Sequence, residues 1–374
     1  MPKKICHLLL LYGNRDQQYT QDMLENIKIF SSEEHFIYCH AKKATSHKIM
    51  VIESKKNSKI TALLQFIGLL NDLNFRTLIK KLSKYDIYKW VWLAANKIDI
   101  LHIHHAHAIP VAVLTYFKIK GVKIVISLRG RDLLVNTVQN EEATLLYAKL
   151  QLADSIHCIS EYLKNELFQK FGLHAQVVHR GQMLPDKNGI RQLANQSEKI
   201  KIIAVGRLVW EKGHIYIIES ASRLKEKGYA VEVHIFGEGV LREFLQFRID
   251  QLNLHDVVLL KGFVENDTLK SLYNNYDIAV QPSLSEALSN GLIDFMFHNL
   301  PCVITDVGGM PEIIQHNKNG IVFSKKNMLL LDKAILDAKK LDFDELVEHN
   351  NEIRPHFTQK REIEGLLKLY DELG

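Results

Sequence analysis

Cysteine is scarce in this sequence, and its spacing excludes several classes of protein. Four cysteines occur in 374 residues and lie far apart, namely Cys6, Cys39, Cys158 and Cys302. Zinc modules and redox motifs need closely spaced cysteines, and small secreted domains stapled by disulfides need many of them. We therefore interpret the four as reduced thiols, as expected of a cytoplasmic protein.

Long hydrophobic runs are also missing. The longest nearly apolar stretch, 62–70, is far too short to cross a bilayer. Lys3 and Lys4 precede the run ICHLLLLY in the manner of a signal peptide, but no small-residue cleavage site follows. We expect this run to form the first buried strand.

No helix-turn-helix, zinc-finger or RNA-binding signature occurs, so no nucleic-acid partner is expected. The charge is unevenly distributed. Residues 1–185 contain 25 Lys and Arg against 15 Asp and Glu, which is net +10, whereas residues 186–374 are net −5. A basic first half suggests an anionic partner, such as a membrane surface or a phosphorylated substrate.

Strand-like and helix-like segments alternate along the chain. The first series of strands is ICHLLLLY, HFIYC, DILHIH, VKIVISL, SIHCI and AQVVH; the second is IKIIAVG, AVEVHIF, VVLLKG, DIAVQ, PCVIT and GIVF. This alternation predicts an α/β protein with parallel, doubly wound sheets. Residues 182–199 lack periodicity, and we interpret them as the linker between two Rossmann-like domains with a cleft between them.

Residues 63–95 interrupt the first series with one or two predicted helices. Four apolar residues share one face, four basic residues lie off it, and two tryptophans follow: Phe75, Leu78, Ile79 and Leu82; Arg76, Lys80, Lys81 and Lys84; Trp90 and Trp92. Two interpretations stay open: an ordinary helix with a solvated basic face, or a peripheral contact with an anionic membrane.

The stretch QPSLSEALSNGLID, 281–294, follows a predicted buried strand. Apolar spacing predicts that Glu286 begins a helix, which would place Glu286 where open α/β sheets bind ligands. Free N–H groups at a helix N-terminus suit phosphate. Asp294 would lie two turns further along the same side. The alternative is an acidic N-cap and a solvated aspartate.

A second candidate ligand loop is GRLVWEKG. Gly206 and Arg207 follow a strand, and Lys212 with Gly213 opens a helix. Two cations five residues apart at such a turn suit a diphosphate, since Arg binds it bidentately and Lys as a point charge. The alternative is a surface loop with ordinary charges.

Two further glycine motifs follow strands. Gly237 and Gly239 imitate a dinucleotide fingerprint, but Arg242 stands at the third glycine position, so that signal is weak. Gly308 and Gly309 precede a helix start, and their backbone N–H groups are expected to face the same ligand as Glu286.

Histidines at 102, 104, 105 and 107 lie on a predicted strand and the loop after it. Close spacing of this kind can bind metal. However, Asp99 is the only acid nearby and no cysteine is close. These observations argue against a metal site; the two interpretations that remain are packing in the core and a place at the edge of a ligand cleft.

An ordered set of motifs in the second half resembles the donor domain of glycosyltransferase family 4, whose members are retaining enzymes of the GT-B fold. The motifs are GRLVWEKG, FGEG, KGFV, YDIAVQPSLSEALSNGLID and TDVGGMPEII. The earlier motifs HIHHAHAIP, ISLRGRDL, ADSIHCISEYL and VVHRG are similar to that family's acceptor domain. The resemblance implies an acceptor domain at 1–185, a donor domain at 186–355, and a C-terminal helix at 356–374 that crosses back to the first domain.

The resemblance also implies residue roles. Arg207 and Lys212 would hold the diphosphate and stabilise the leaving group, and Glu286 would bind the transferred sugar. Asp294 stands where the family usually has a glutamate for the ribose. Arg129 stands where the family often has a histidine; because arginine stays protonated it implies a charge contact to phosphate or sugar. Other implied contacts are Gly206, Phe263, Val264, Ala287, Leu288, Ser289, Gly308 and Gly309 for the donor, and Gly13, His105 and His107 for the acceptor or sugar.

The sequence therefore predicts a retaining glycosyltransferase that moves a hexose from a nucleotide-diphosphate sugar to a glycan or polyprenyl-linked acceptor, without a metal cofactor. Family association favours bacterial surface polysaccharide synthesis, in the cytoplasm or on the inner face of the membrane. Two alternatives remain: a sugar-nucleotide epimerase of the same fold, and a catalytically dead scaffold.

Overall fold

A computed structural model describes residues 2–12, 18–42, 46, 48–53, 59–185, 190 and 198–374. It divides into two compact units, residues 1–179 with 362–374 and residues 180–361. Most of the predicted linker and Gly13 lie outside the described residues.

In the first unit the described residues form a seven-stranded parallel sheet in the order β3-β2-β1-β4-β5-β6-β7. Its strands are β1 Lys4–Tyr12, β2 Glu34–Lys42, β3 Met50–Glu53, β4 Ile100–Ile103, β5 Lys123–Leu128, β6 Ser155–Cys158 and β7 Gln176–Val177. Its first eight helices are α1 Gln18–Asn26, α2 Lys59–Leu69, α3 Leu73–Ile79, α4 Lys84–Ala95, α5 Val111–Ile119, α6 Arg131–Leu134, α7 Asn140–Leu150 and α8 Glu161–Phe171.

The second unit contains a six-stranded parallel sheet in the order β10-β9-β8-β11-β12-β13. The strands are β8 Ile200–Val205, β9 Val231–Phe236, β10 Val258–Gly262, β11 Ile278–Gln281, β12 Cys302–Thr305 and β13 Gly320–Phe323. The helices that follow are α9 His214–Glu226, α10 Arg242–Gln251, α11 Asn266–Leu272, α12 Asn290–Phe297, α13 Leu331–Ala338 and α14 Phe343–Ile353. The predicted α/β class with two parallel sheets is therefore confirmed.

The last helix, α15 Gln359–Asp371, belongs over most of its length to the first unit. Ile363 and Leu366 on this helix lie in one buried cluster with Ile5 of β1 and Val125 of β5. The helix therefore covers one face of the first sheet, and its apolar spacing follows from that burial.

Residues 63–95 form the larger part of three helices, α2, α3 and α4, where one or two were predicted. Phe75 and Leu78 are buried, as the apolar face requires. Trp90 is also buried, and Trp92 stacks on Tyr38 at 5.6 Å between ring centroids. The two tryptophans therefore belong to the packing of the unit rather than to an exposed aromatic surface.

A row of buried histidines crosses the first sheet beneath α15. His7, His35, His102 and His157 lie on β1, β2, β4 and β6, and His104 follows β4; all five are at most 3% exposed. The register pairs His7 with His102, which places both rings on one face. Burial, reinforced by neighbouring histidines and Arg129, holds the pKa of His7, His102 and His104 well below the ordinary value. Burial lowers the pKa of His35 to about 4.

These lowered pKa values predict acid sensitivity. The lowered pKa values keep His7, His35, His102 and His104 neutral in the folded protein, whereas each takes up a proton below pH 6.5 when unfolded. The unfolded state therefore binds more protons, and stability falls as the pH decreases from 6.5. The expected loss is about 1.4 kcal/mol per pH unit for each such histidine. Urea unfolding at pH 7.5, 6.0 and 5.0 measures this slope.

His35→Phe should flatten the slope, whereas His255→Gln, at an exposed histidine in the second unit, should leave it unchanged. Equal unfolding free energies at pH 7.5 and 5.0 in the wild type would contradict the prediction.

Candidate active site

The loop between β8 and α9 holds the two predicted diphosphate cations. Arg207 is exposed, whereas the Lys212 side chain is only 17% exposed. Gly213 has a φ of 66°, and an added Cβ there would lie 2.1 Å from the carbonyl oxygen of Pro282. Only glycine therefore lets this loop lie directly against the backbone that follows β11.

Lys212 forms an ion pair with Glu286, whose side chain is 15% exposed. The carboxylate also accepts a hydrogen bond from Gln281 Nε2 at 3.4 Å. A backbone bond from Leu284 N to Glu211 O, 2.8 Å long, ties the same two loops together. The sequence proposed Lys212 and Glu286 as separate ligand contacts; the structure places them in direct contact.

The prediction that Glu286 begins a helix was wrong. Helix α12 begins at Asn290, and Ser289 is its N-cap, since Ser289 Oγ accepts from Leu292 N at 3.3 Å. The same hydroxyl donates to Gln281 Oε1 at 2.8 Å. Glu286 therefore lies in the loop before the helix and does not share a helical face with Asp294. Apolar spacing locates a helix well but fixes its first turn poorly.

Ala287 and Leu288 are 7% and 4% exposed, and Ala287 contacts the glycine turn after β12. Gly309 N donates to Ala287 O at 3.0 Å, so that N–H is used inside the unit rather than aimed at a ligand as predicted. An added Cβ on Gly308, whose φ is 62°, would lie 1.6 Å from Glu286 O. This close approach fixes the backbone that carries Glu286.

Asp294 is 3% exposed and pairs with Lys270 of α11, at 3.2 Å between Oδ1 and Nζ. Lys270 is a contact that the sequence analysis missed, because no motif links two residues on different helices. Phe263, implied for the base, follows β10 and is 45% exposed, and Val264 beside it is half-buried.

His214 is a second residue that sequence reasoning missed. It is the first residue of α9, directly after Gly213, and is 5% exposed. An added Cβ on Gly206 would lie 3.6 Å from His214 Nε2. Burial, then the charge of Lys212, lowers the pKa of His214 to about 4, although backbone contacts with Gly206 and Arg207 act in the opposite direction. The loop therefore has a neutral imidazole beneath it at neutral pH.

In the first unit, three of the four acceptor-side residues lie just after β4 and β5. Arg129 Nη2 donates to His104 Nδ1 at 2.9 Å. His107 Nδ1 lies 2.9 Å from Asp132 Oδ1, and the His105 and His107 rings are 5.7 Å apart. These side chains stand at the carboxyl ends of the strands, where parallel sheets bind ligands.

One cluster has the residue types of a metal site. His7, His102 and His104 are buried, and each offers a ring nitrogen within 4.8 Å of the others. The sequence drew attention to His102 and His104 but not to His7, because β1 is distant along the chain. Three imidazoles could serve as zinc ligands.

Two protein families match segments of this sequence. Residues 186–354 match the family "Glycosyl transferases group 1", and residues 71–181 match "Glycosyltransferase Family 4". Among the described residues, no helix is long and apolar enough to cross a membrane.

Two curated relatives have similar sequences. An uncharacterized glycosyltransferase of Methanocaldococcus jannaschii, MJ1607, is 37% identical over 37% of this chain and 35% of its own length. The putative colanic acid biosynthesis glycosyltransferase WcaL of Escherichia coli is 26% identical over 66% of this chain and 64% of its own length. The chain thus covers less than two thirds of each.

A solved structure shares the fold over nearly the whole chain. The Anabaena protein HepE, crystallised with UDP-glucose, superposes with a TM-score of 0.72 at 15% identity and covers 99% of both chains. The two parallel-sheet units have the GT-B fold. With the two family matches covering the larger part of both units, the chain belongs to the family 4, group 1 glycosyltransferases.

Proposed function

We propose that this protein transfers a hexose from a nucleotide-diphosphate sugar to a glycan or lipid-linked acceptor with retention of configuration. The ion pair between Lys212 and Glu286 carries the proposal. It places one cation and one carboxylate at a single point, as transfer requires: the cation for the diphosphate and the carboxylate for hydroxyl groups of the sugar.

The chemistry follows from where charge develops. Breaking the bond between sugar and phosphate leaves negative charge on the diphosphate, which Lys212 and Arg207 would stabilise. Glu286 pairs with Lys212, so an incoming diphosphate would take over the cation and leave the carboxylate to accept hydrogen bonds from sugar hydroxyl groups. Because two cations serve the leaving group, the proposal needs no metal cofactor.

Two similarities support the substrate class. The printed name of the Escherichia coli relative refers to colanic acid biosynthesis, and the Anabaena structure contains UDP-glucose. We propose a role in bacterial surface polysaccharide synthesis. A panel of nucleotide sugars, scored for binding, hydrolysis and the anomeric configuration of the product, tests this. Interconversion of nucleotide sugars without an acceptor would favour the epimerase. If no nucleotide sugar binds, the catalytically dead scaffold would be favoured.

The cation pair gives a binding prediction. Arg207→Ala and Lys212→Ala should each weaken nucleoside diphosphate binding about tenfold or more, because a hydrogen bond to a charged group contributes roughly 1.5–3 kcal/mol. Calorimetry measures the affinity, and Lys225→Ala, at a lysine paired with Asp256 on the surface of the same unit, is the matched control. Unchanged affinity in both test variants would remove the diphosphate assignment.

The two acids should have separable kinetic effects. Glu286 is proposed to contact the sugar whose bond breaks, so Glu286→Gln should mainly lower kcat while nucleoside diphosphate affinity survives. Asp294 is proposed to bind the ribose, because it stands where the family usually has a glutamate for that contact, so Asp294→Asn should mainly raise the donor KM. Steady-state kinetics, with folding checked by thermal melts, compares them. Full kcat in Glu286→Gln together with none in Asp294→Asn would reverse the assignment.

We also propose that the first unit contacts anionic lipid. On α2 and α3, Leu64, Ile67 and Leu73 are 65%, 52% and 73% exposed. Three exposed cations lie on and after α3, namely Arg76, Lys80 and Lys81; the side chain of the fourth predicted cation, Lys84, lies outside the described part of the chain. Exposed apolar residues beside basic ones suit an interfacial helix.

Liposome flotation tests this surface. The wild type should bind anionic vesicles, and binding should weaken with salt because exposed charges are screened. Changing Arg76, Lys80 and Lys81 to Glu should abolish flotation, whereas Glu at three exposed lysines of the second unit, Lys318, Lys325 and Lys326, should not. Equal flotation of both triple variants would place the contact elsewhere, and no flotation of the wild type would favour a soluble acceptor.

A further inference from the structure

The buried histidines of the first unit form a hydrogen-bonded chain that ends at Arg129. Arg129 Nη2 lies 2.9 Å from His104 Nδ1, and His104 Nε2 lies 3.1 Å from His7 Nδ1. His7 Nε2 lies 3.0 Å from His35 Nδ1, and His35 Nε2 lies 2.8 Å from Ser31 Oγ. We name these five residues the arginine chain.

The end of this chain fixes the direction of every bond in it. A guanidinium only donates, so His104 Nδ1 must accept from Arg129. A neutral histidine has one donor and one acceptor, so His104 Nε2–H donates to His7. His7 then donates to His35 in the same sense, and His35 donates to Ser31. All three rings must therefore carry their proton on Nε2.

A second chain runs across the same face and ends at a backbone carbonyl group. His157 Nε2 lies 2.9 Å from the Val178 carbonyl oxygen, which only accepts, so His157 Nδ1 accepts from Ser127 Oγ at 2.7 Å. Ser127 Oγ in turn accepts from His102 Nε2 at 2.7 Å, and His102 Nδ1 accepts from Tyr370 at 2.5 Å. This carbonyl chain, Tyr370, His102, Ser127, His157 and Val178, has equal burial and a separate end group.

The hydrogen bonds argue against a metal between His7, His102 and His104. Every ring nitrogen of the three already has a partner within these chains. Ligation through His104 would require Nε2 to lose its proton while Arg129 still occupies Nδ1. The added cation would also face the Arg129 charge, and like charges repel at this range.

We propose that the arginine chain is a positioning element, which holds the Arg129 guanidinium at the carboxyl end of β5 ready for an anionic group of the substrate. The role of Arg129 rests on the proposed function; the order of the chain does not. The end at Ser31 is half-buried, so the chain connects this cation to the fold across β2, β1 and β4. A fixed cation loses less freedom when an anion binds than a mobile one does.

The chain works only while its rings are neutral. A protonated His104 has no acceptor for Arg129 and would add a second charge beside it. The charged and titratable groups that face the chain include Lys28 near His35, His105 near His104, His102 near His7 and His104, Tyr370 of α15 near His7 and His35, and Arg129 itself. Burial is the main cause of the lowered pKa of His7, His35 and His104; the Arg129 charge adds to it at His7 and His104, and the Lys28 charge adds to it at His35.

Nitrogen-15 NMR of histidine-labelled protein at pH 7.5 tests the bond order directly, without any substrate. His7, His35 and His104 should each show a protonated Nε2 and an unprotonated Nδ1. A protonated Nδ1 on His104 would overturn the proposal. So would stoichiometric Zn²⁺ binding that moves the His7 and His104 resonances together.

Variants then test the positioning role. His7→Phe keeps an aromatic ring but removes the acceptor of His104 Nε2–H, so the imidazole that accepts from Arg129 is no longer fixed. Exchange of the Arg129 guanidinium protons should rise, up to the limit of about tenfold that complete loss of the charge-assisted bond would give. Ser127→Ala breaks only the carbonyl chain and should leave Arg129 exchange unchanged. If His7→Phe does not fold, Ser31→Ala at the half-exposed end should give a smaller rise in the same direction. Unchanged exchange in the folded arginine-chain variants would refute positioning.

Kinetics separates this inference from the proposed function. With the donor that the nucleotide-sugar panel selects, His7→Phe should lower kcat/KM toward the value of Arg129→Lys, and Ser127→Ala should not. A rise in Arg129 exchange without any loss of kcat/KM would leave the chain ordered as described and refute the substrate role of Arg129. No activity in the wild type would count against the proposed function alone.

Discussion

Direct contact between loop backbones is the constraint on which the candidate site depends. The loop before α9 meets the carbonyl of Pro282, and the turn after β12 meets the carbonyl of Glu286. Side chains at Gly213 or Gly308 would occupy the space of those carbonyl oxygens, so the two glycines set how closely three strand ends converge. The ion pair between Lys212 and Glu286 is a consequence of that convergence, since each residue lies beside one of the contacts.

The fold and the position of the candidate loops could be predicted because the spacing of apolar residues and the glycines at turns are local features of the sequence. Strand β11 follows from the run Ile278 to Val280, and the loop from Gly206 to Gly213 follows from its glycines. Strand β3 was missed because Met50 to Glu53 is short and only half-buried, which leaves no alternating pattern. The start of α12 was misplaced because three competing residues, Ser283, Ser285 and Ser289, could each cap a helix, and only tertiary contacts choose among them.

Contacts between distant segments could not be predicted in the same way. Lys270 and Asp294 stand on successive helices, and His7 and His104 lie 97 residues apart. No local sequence pattern predicts such pairs. The order of strands in the sheet brings β1 beside β4 and so places His7 next to His102. The cost of burying so many polar rings is offset only if each finds a partner, and the two chains supply one for each ring nitrogen. The sequence shows a histidine-rich strand. The hydrogen bonds between strands that offset the burial of these histidines depend on the order of strands in the sheet.

The two units hold their candidate cations in opposite ways. Lys212 faces a carboxylate, so an incoming anion must compete with Glu286 before it gains the full charge of the lysine. Arg129 donates a hydrogen bond to a neutral imidazole, which does not cancel the charge of the guanidinium. An anion that reaches Arg129 therefore displaces no counter-charge from His104, although desolvation still opposes binding. Under the proposed function, exchange of partners suits a diphosphate that must be held and then released during a reaction, whereas a cation held by a neutral imidazole suits recognition of a group that stays unchanged.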